Sequence, residues 1–318
     1  MAGRHRLPAR GLRPLADSGW PATHPATAPA WGRAYDDGVT PRTIVITGAS
    51  DGIGKAAAQQ LAAQGHRVVL VGRSQDKTRA AVEQIRAGLP TAQVRGLTTD
   101  FADLAQVRDL AATLLREEQR IDVLALNAGS VFGKHLLTTE GHEATLATNH
   151  LGGFLLAELL RDRLIASAPS RIVITSSGAH YRGTLDFENL ELAKGYQLMR
   201  GYARSKLANV VYANYLARDL EGTGVTANSF HPGVVATNIW RGAPAWLRPI
   251  LGVVKKVRMI SPDEGGARLA YLATSPEVAG TTGAYFDENK PKDPLPAALD
   301  HAVQDQLYAV SRRLVGLT

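Results

Sequence analysis

A tyrosine and a lysine lie four positions apart in GYARSK, residues 201–206. The segment that follows, LANVVYANYLARDL, carries an apolar stripe at helical spacing, so Tyr202 and Lys206 share one helix face. Tyrosine is among the side chains that give and take protons in catalysis, and a neighbouring cation favours its ionised form. An ordinary surface helix also carries such pairs, and six residues do not separate the two readings.

A second group of residues has the composition of a phosphate cradle. TGASDGIGKA runs from Thr47 to Ala56 straight out of an apolar strand and into a helical pattern. Gly48, Gly52 and Gly54, with Ser50, Asp51 and Ile53 among them, permit a tight turn and close backbone approach. The helix they open offers free N–H groups to a pyrophosphate. A glycine-rich turn that binds nothing is the alternative. At the end of the next strand the sequence reads Gly72, Arg73, Ser74. An adenosine ribose with a free 2′-hydroxyl is usually held there by Asp or Glu, and neither is present. Gly72 leaves room and Arg73 offers a fixed cation for a 2′-phosphate, which favours NADP(H) over NAD(H). The alternative is an Arg73 that only faces solvent.

Three further signals follow in order. Asn127, Ala128 and Gly129 end one expected strand, and TSSGAH, Thr175 to His180 with Ser177 within it, ends the next. Asn149 interrupts a long helical stretch, where asparagine is a mediocre former. Singly these read as a turn, a pair of strand-end hydroxyls and a stray polar residue. Ligands of open α/β sheets bind at the carboxyl ends of the strands, where the first two lie.

The elements that must position these groups alternate from residue 43 onward. TIVIT (43–47), RVVLVG (67–72), QVRGLTTD (93–100), DVLALN (122–127), RIVITSS (171–177), VTANSFHPG (225–233) and GAYFD (283–287) read as strands. Helical patterns separate them, the longest being HEATLATNHLGGFLLAELLRDRLIA. Continuous apolar strands separated by helices predict an α/β fold: a doubly wound parallel sheet of about seven strands, Rossmann-type, in a single domain over residues 43–318. Residues 1–42, rich in Pro and Ala and without period, are expected to be a disordered basic extension.

Composition narrows the function. The absence of cysteine removes disulfides, thiolate ligands and thiol nucleophiles, and the nine histidines show no metal-ligand spacing, so no metal is expected. No apolar run reaches the ~20 residues of a membrane span, and a cytoplasmic location is expected. The net charge of +7 suggests nucleic acid, but residues 1–42 hold six arginines against three acids. The remainder is modestly basic and shows no Lys/Arg stripe interleaved with aromatics, so nucleic-acid binding is not expected.

Taken together, these motifs make the chain resemble the short-chain dehydrogenase/reductase family over essentially all of residues 42–318. The matching positions are Thr47 to Gly54, Asn127 to Gly129, Asn149, Ser177, Tyr202 with Lys206, and Pro232 with Gly233. TNHLGGFLL, SSGAH, the long segment between Ser177 and Tyr202, and the closing GAYFDENKPKDP resemble the retinol-dehydrogenase-like branch. The resemblance implies reduction of aldehydes or ketones, or oxidation of the corresponding alcohols, on a small lipophilic or polycyclic molecule, often with NADP(H). Tyr202 would be the general acid or base. Lys206 would lower its pKa, a cation ~4 Å away at moderate dielectric being worth on the order of 4 kcal/mol. Ser177 would orient the substrate oxygen, and Asn149 would hold a water connecting Lys206 to solvent. The resemblance also implies that Asp100 meets the adenine, that Thr237 contacts the nicotinamide end or its phosphates, and that the chain forms a homo-oligomer through the Tyr-bearing helix. Asp51 departs from the small or hydroxyl residue often found in that loop and weakens a pyrophosphate site electrostatically. His180 and Tyr181 either touch substrate or pack.

Substrate choice is expected after Pro232. WRGAPAWLRPILGVVKKVRMI (240–260) reads as an apolar lid with Lys255, Lys256 and Arg258 facing solvent, as a membrane-surface patch, or as a plain surface helix. An epimerase or dehydratase of the same superfamily, and a non-catalytic dinucleotide-binding redox sensor, are the competing functions. The joint presence of Ser177, Tyr202 and Lys206 argues against a sensor, which needs no proton-transfer set.

Overall fold

All seven expected strands form. They are β1 (Thr43–Thr47), β2 (Arg67–Gly72), β3 (Val94–Thr98), β4 (Val123–Leu126), β5 (Ser170–Thr175), β6 (Val225–His231) and β7 (Tyr285–Asp287). β1, β2, β4, β5 and β6 are largely buried between helices, whereas the edge strand β3 buries only Val94. The computed structural model describes residues 40–233 and 260–317. Within them the sheet order is β3-β2-β1-β4-β5-β6-β7-β8, parallel through β7. The order reverses between β1 and β4, which opens a crevice beyond the strands' carboxyl ends.

The eighth strand, β8 (Lys290–Lys292), exceeds the expected count of about seven and pairs antiparallel with β7. Glu288 and Asn289 between them both have positive φ, 53° and 64°, the type I′ geometry that closes a two-residue hairpin. KPK has no apolar alternation and contains a proline, which only a sheet edge tolerates.

Helices α1 (Gly52–Ala63) and α2 (Gln75–Gly88), together with α8 (Pro262–Thr274), cover one face of the sheet. On the other face lie α3 (Leu104–Glu117), α5 (Gly152–Leu159), α7 (Leu198–Asp219) and α9 (His301–Leu314). α1 and α8 approach so closely that a Cβ on Gly266 would lie 2.7 Å from that of Ala56. The long helical stretch expected around Asn149 is broken. It runs as α4 (Ala144–Leu146), a π turn (Ala147–Leu151), α5 and α6 (Arg161–Ala166). Gly152 sits at the exit of the π turn, where a Cβ would meet the Phe101 carbonyl oxygen at 2.4 Å. The turn therefore brings the backbone, and Asn149 with it, against the crevice wall.

Arg42, assigned from sequence to the extension, is tied to the folded part: its N–H donates to His66 Nδ1 at 3.3 Å and its guanidinium to the Ala273 carbonyl at 3.2 Å. Residues 1–39, Thr237 and residues 240–259 lie outside the described residues.

Candidate active site

The crevice holds a cleft of about 660 Å³ that runs from Gly72, Arg73 and Lys77 at one end to Tyr202, Lys206 and His231 at the other. Gly48, Ser50, Asp51, Gly52 and Ile53 line its middle, with Asn127, Ala128 and Gly129 opposite. Asp100 borders the first end; Ser177, Pro232 and Gly233 border the second.

Thr47, Gly54 and Asn149 do not line the cleft; they hold its walls together. The Thr47 hydroxyl accepts from the N–H groups of Asn127 (2.8 Å) and Ala128 (2.9 Å) and reaches the Ala125 carbonyl at 3.3 Å. Asn127 returns an amide N–H to the Thr47 carbonyl at 3.0 Å, and its Oδ1 accepts from Thr175 at 3.2 Å. Three strand ends, β1, β4 and β5, are thereby clamped at fixed spacing. A Cβ on Gly54 would stand 2.5 Å from the Gly48 carbonyl oxygen, so helix α1 can start this close to β1 only without a side chain there. Gly48 and Gly52 have φ of +66° and +55°, which other residues rarely adopt. Asp51 is the N-cap of α1, its carboxylate accepting the Gly52 N–H at 2.8 Å, so one N–H that would serve an anion is taken.

At the β2 end the structure corrects the idea that Gly72 leaves room. A Cβ there would stand 2.3 Å from Thr78 Oγ1 and 2.7 Å from Ser50 Cβ, so the space is already filled. Sequence reading missed Lys77. It lies in the first turn of α2, whose N-cap is Ser74, and borders the same end of the cleft as Arg73. The signal was available: Lys77 is four residues after Arg73, across a cap.

The chemistry end is assembled from β5, the π turn and α7. Ser176 donates its hydroxyl to the Lys206 carbonyl at 2.8 Å, which leaves Ser177 as the serine hydrogen-bonded to Tyr202. Lys206 is buried, donates from Nζ to the Thr175 carbonyl at 3.1 Å, and stands 5.8 Å from the centroid of the Tyr202 ring. Asn149 accepts the Ser130 N–H at 2.7 Å and donates to Ser205 Oγ at 3.0 Å. Gly129 fills the gap between them: a Cβ there would meet Asn149 Oδ1 at 3.4 Å and Lys206 Nζ at 3.5 Å.

Burial governs the electrostatics. It pushes the Tyr202 hydroxyl above the ordinary tyrosine value, with the Ser177 hydrogen bond pulling it back. The same burial brings Lys206 down to about 8. Desolvation thus acts against the charged forms of both side chains. His180 packs rather than facing the cleft: its Nδ1 meets the Ser177 carbonyl at 2.8 Å, its Nε2 accepts the Leu295 N–H at 3.3 Å, and its ring lies 4.5 Å from that of Tyr285. Tyr181 donates to the Asp293 carbonyl at 2.6 Å.

A family model described as short chain dehydrogenase matches residues 42–248. The chain belongs to the short-chain dehydrogenase/reductase family. It is 40% identical over 281 residues to human retinol dehydrogenase 13, covering 87% of this chain and 85% of that protein. It is 42% identical over 280 residues to bovine dehydrogenase/reductase SDR family member 13, covering 87% and 74%. The crystal structure of an uncharacterized protein from Mycobacterium paratuberculosis superposes with a TM-score of 0.70 at 29% identity, covering 86% of this chain and 93% of that one. This short-chain dehydrogenase/reductase is accordingly an oxidoreductase of the retinol-dehydrogenase-like branch, and its cofactor is a nicotinamide dinucleotide. Among the described residues no helix is long and apolar enough to cross a membrane.

Proposed function

We propose that the chain is an NADP(H)-dependent oxidoreductase that interconverts a carbonyl and an alcohol on a lipophilic small molecule, with Tyr202 as general acid and base. The observation that carries this reading is the convergence at one end of the cleft: Tyr202 is hydrogen-bonded to Ser177, and the buried Lys206 lies beneath its ring.

The residues present fit a dinucleotide. The glycine cradle at Gly48, Gly52 and Gly54 would take the pyrophosphate, and Asp100 borders the adenosine end. Arg73 and Lys77 together would grip a 2′-phosphate and offset the carboxylate of Asp51. When bound, the nicotinamide gives or takes the hydride and, in its oxidised form, brings a positive charge to the site. The chain does the rest. Ser177 and Tyr202 hydroxyls hold the substrate oxygen between them. Tyr202 protonates that oxygen in reduction and deprotonates the alcohol in oxidation. Lys206 lies close enough to stabilise the phenolate left behind. Val131, Phe132, Ala179 and Met199 give the substrate end of the cleft apolar walls, which supports a lipophilic substrate. The names of the retinol dehydrogenases at about 40% identity make a retinoid the first substrate to try.

The test is a fluorescence titration with NADPH and with NADH, followed by a screen of lipophilic aldehydes. Preference for NADPH with turnover that Tyr202→Phe abolishes supports the reading. Preference for NADH would overturn the roles given to Arg73 and Lys77. Cofactor binding without turnover of any carbonyl or alcohol, and unaffected by Tyr202→Phe, would favour the redox sensor.

A further inference from the structure

We propose that Ser311, on the carboxy-terminal helix α9, is a positioning residue for Lys206, acting through a buried row formed by His150, Asn209 and the Thr175 carbonyl. The proposal rests on the reading of Lys206 as part of the proton-transfer set. Residue 311 lies beyond the segment 42–248 matched by the family model, and no sequence motif marks it.

The row is continuous. Ser311 Oγ is 2.9 Å from His150 Nε2, His150 Nδ1 is 3.3 Å from Asn209 Oδ1, and Asn209 Nδ2 donates to the Thr175 carbonyl at 3.1 Å. Lys206 Nζ donates to that same carbonyl, also at 3.1 Å. Both acceptor sites of one backbone oxygen are therefore occupied, one by the lysine and one by the row. Ser311 and His150 are 0% and 1% exposed, so a lost partner leaves a buried polar group away from bulk water.

The row has a single direction. Asn209 uses its amide nitrogen on the Thr175 carbonyl, so its Oδ1 faces His150 and can only accept. His150 Nδ1 must then carry the proton. Nε2 is left as an acceptor, which the Ser311 hydroxyl supplies with a hydrogen. Every member is satisfied only when His150 is neutral, and burial holds it so by bringing its pKa to about 4. Without the Ser311 hydroxyl, Nε2 is a buried acceptor with nothing to accept from. The ring then tilts to bring Nε2 toward another donor, which loosens its hydrogen bond to Asn209 and, through Asn209, the one to the Thr175 carbonyl.

The groups facing the two titrating residues do not compete with this. Lys206 faces the ring of Tyr202 from its own helix, and faces Gly129, Asn149 and Thr175 from the strand ends and the π turn, none of which titrates. His150 faces Phe154 on α5 and the ring of Tyr212 on α7, 6.0 Å away. Behind these, Glu158 accepts from the hydroxyls of Tyr212 and Tyr308.

The experiment is NMR titration of Lys206 in the full chain with labelled lysine, in the wild type, Ser311→Ala and Val310→Ala. Val310 packs on the same helix without joining the row and reports packing loss alone. Ser311→Ala should lower the Lys206 pKa by about half a unit, since a loosened carbonyl holds the ammonium less well. Val310→Ala should lower the melting temperature and leave that titration in place. In the wild type, imidazole nitrogen shifts should put the His150 proton on Nδ1, a measurement that needs no variant to fold. A Lys206 titration identical in Ser311→Ala and Val310→Ala, or a wild-type proton on Nε2, would overturn the proposal. If the titration moves as stated but the chain turns over no carbonyl or alcohol, the positioning role stands and the functional reading falls.

Discussion

At the scale of single residues, Tyr202 faces opposing demands. In the proposed mechanism its burial excludes water from the reacting oxygen, and the same burial raises its pKa. The Ser177 hydrogen bond acts in the opposite direction, and Lys206 contributes as a cation only below its own depressed value of about 8. The sign of the pH dependence follows: activity that needs the Lys206 ammonium is present at neutral pH and falls as the pH rises through about 8. A kcat profile still flat well above that pH would contradict it. Tyr202→Phe should lower kcat by about 10²–10⁴-fold while leaving NADPH affinity within about twofold, because only proton transfer is removed. Replacing Arg73 and Lys77 together by Ala should weaken NADPH by about 10–100-fold, the range for losing charge-assisted hydrogen bonds, with NADH almost unaffected. Paired titrations of both cofactors against wild type and variant give that comparison.

At the scale of elements, the chemistry depends on close backbone approach. Gly54→Ala would bring a methyl within 2.5 Å of the Gly48 carbonyl and should destabilise the fold by about 1–3 kcal/mol, readable as a lower urea midpoint, with weaker cofactor binding. The strands and the glycine turn were legible in the sequence because apolar runs and glycine carry their physics locally. β8 was not, since KPK has no apolar period and forms only because Glu288 and Asn289 reverse the chain. Asn149 stood out as a poor helix former, but that it lies in a π turn depends on Phe101, far away in sequence, approaching Gly152. Lys77 was visible yet unread, because its place beside Arg73 becomes evident only when α2 is set against the end of β2. The filled space at Gly72 is a packing fact that residue type alone does not reveal.

At the scale of the whole molecule, α9 packs on α7, stacking Tyr308 on Tyr215 at 4.0 Å and covering His150 with Ser311. A histidine held at about 4 inside and near 6.5 when unfolded takes up its proton first in the unfolded chain as the pH falls. Stability is thus lost between about pH 6.5 and 4, by on the order of 3 kcal/mol from this residue. His150→Gln, less stable at pH 7, should lose that slope, which denaturant melts at a series of pH values would read. The central claim is that this cleft moves a hydride between NADP(H) and a carbonyl with Tyr202 handling the proton. It is tested most directly by mixing enzyme and NADPH with a lipophilic aldehyde and following nicotinamide absorbance in wild type and Tyr202→Phe. The account predicts NADPH oxidation with matching alcohol formation in the wild type, and bound but unconsumed NADPH in the variant. Equal rates in the two proteins would contradict it.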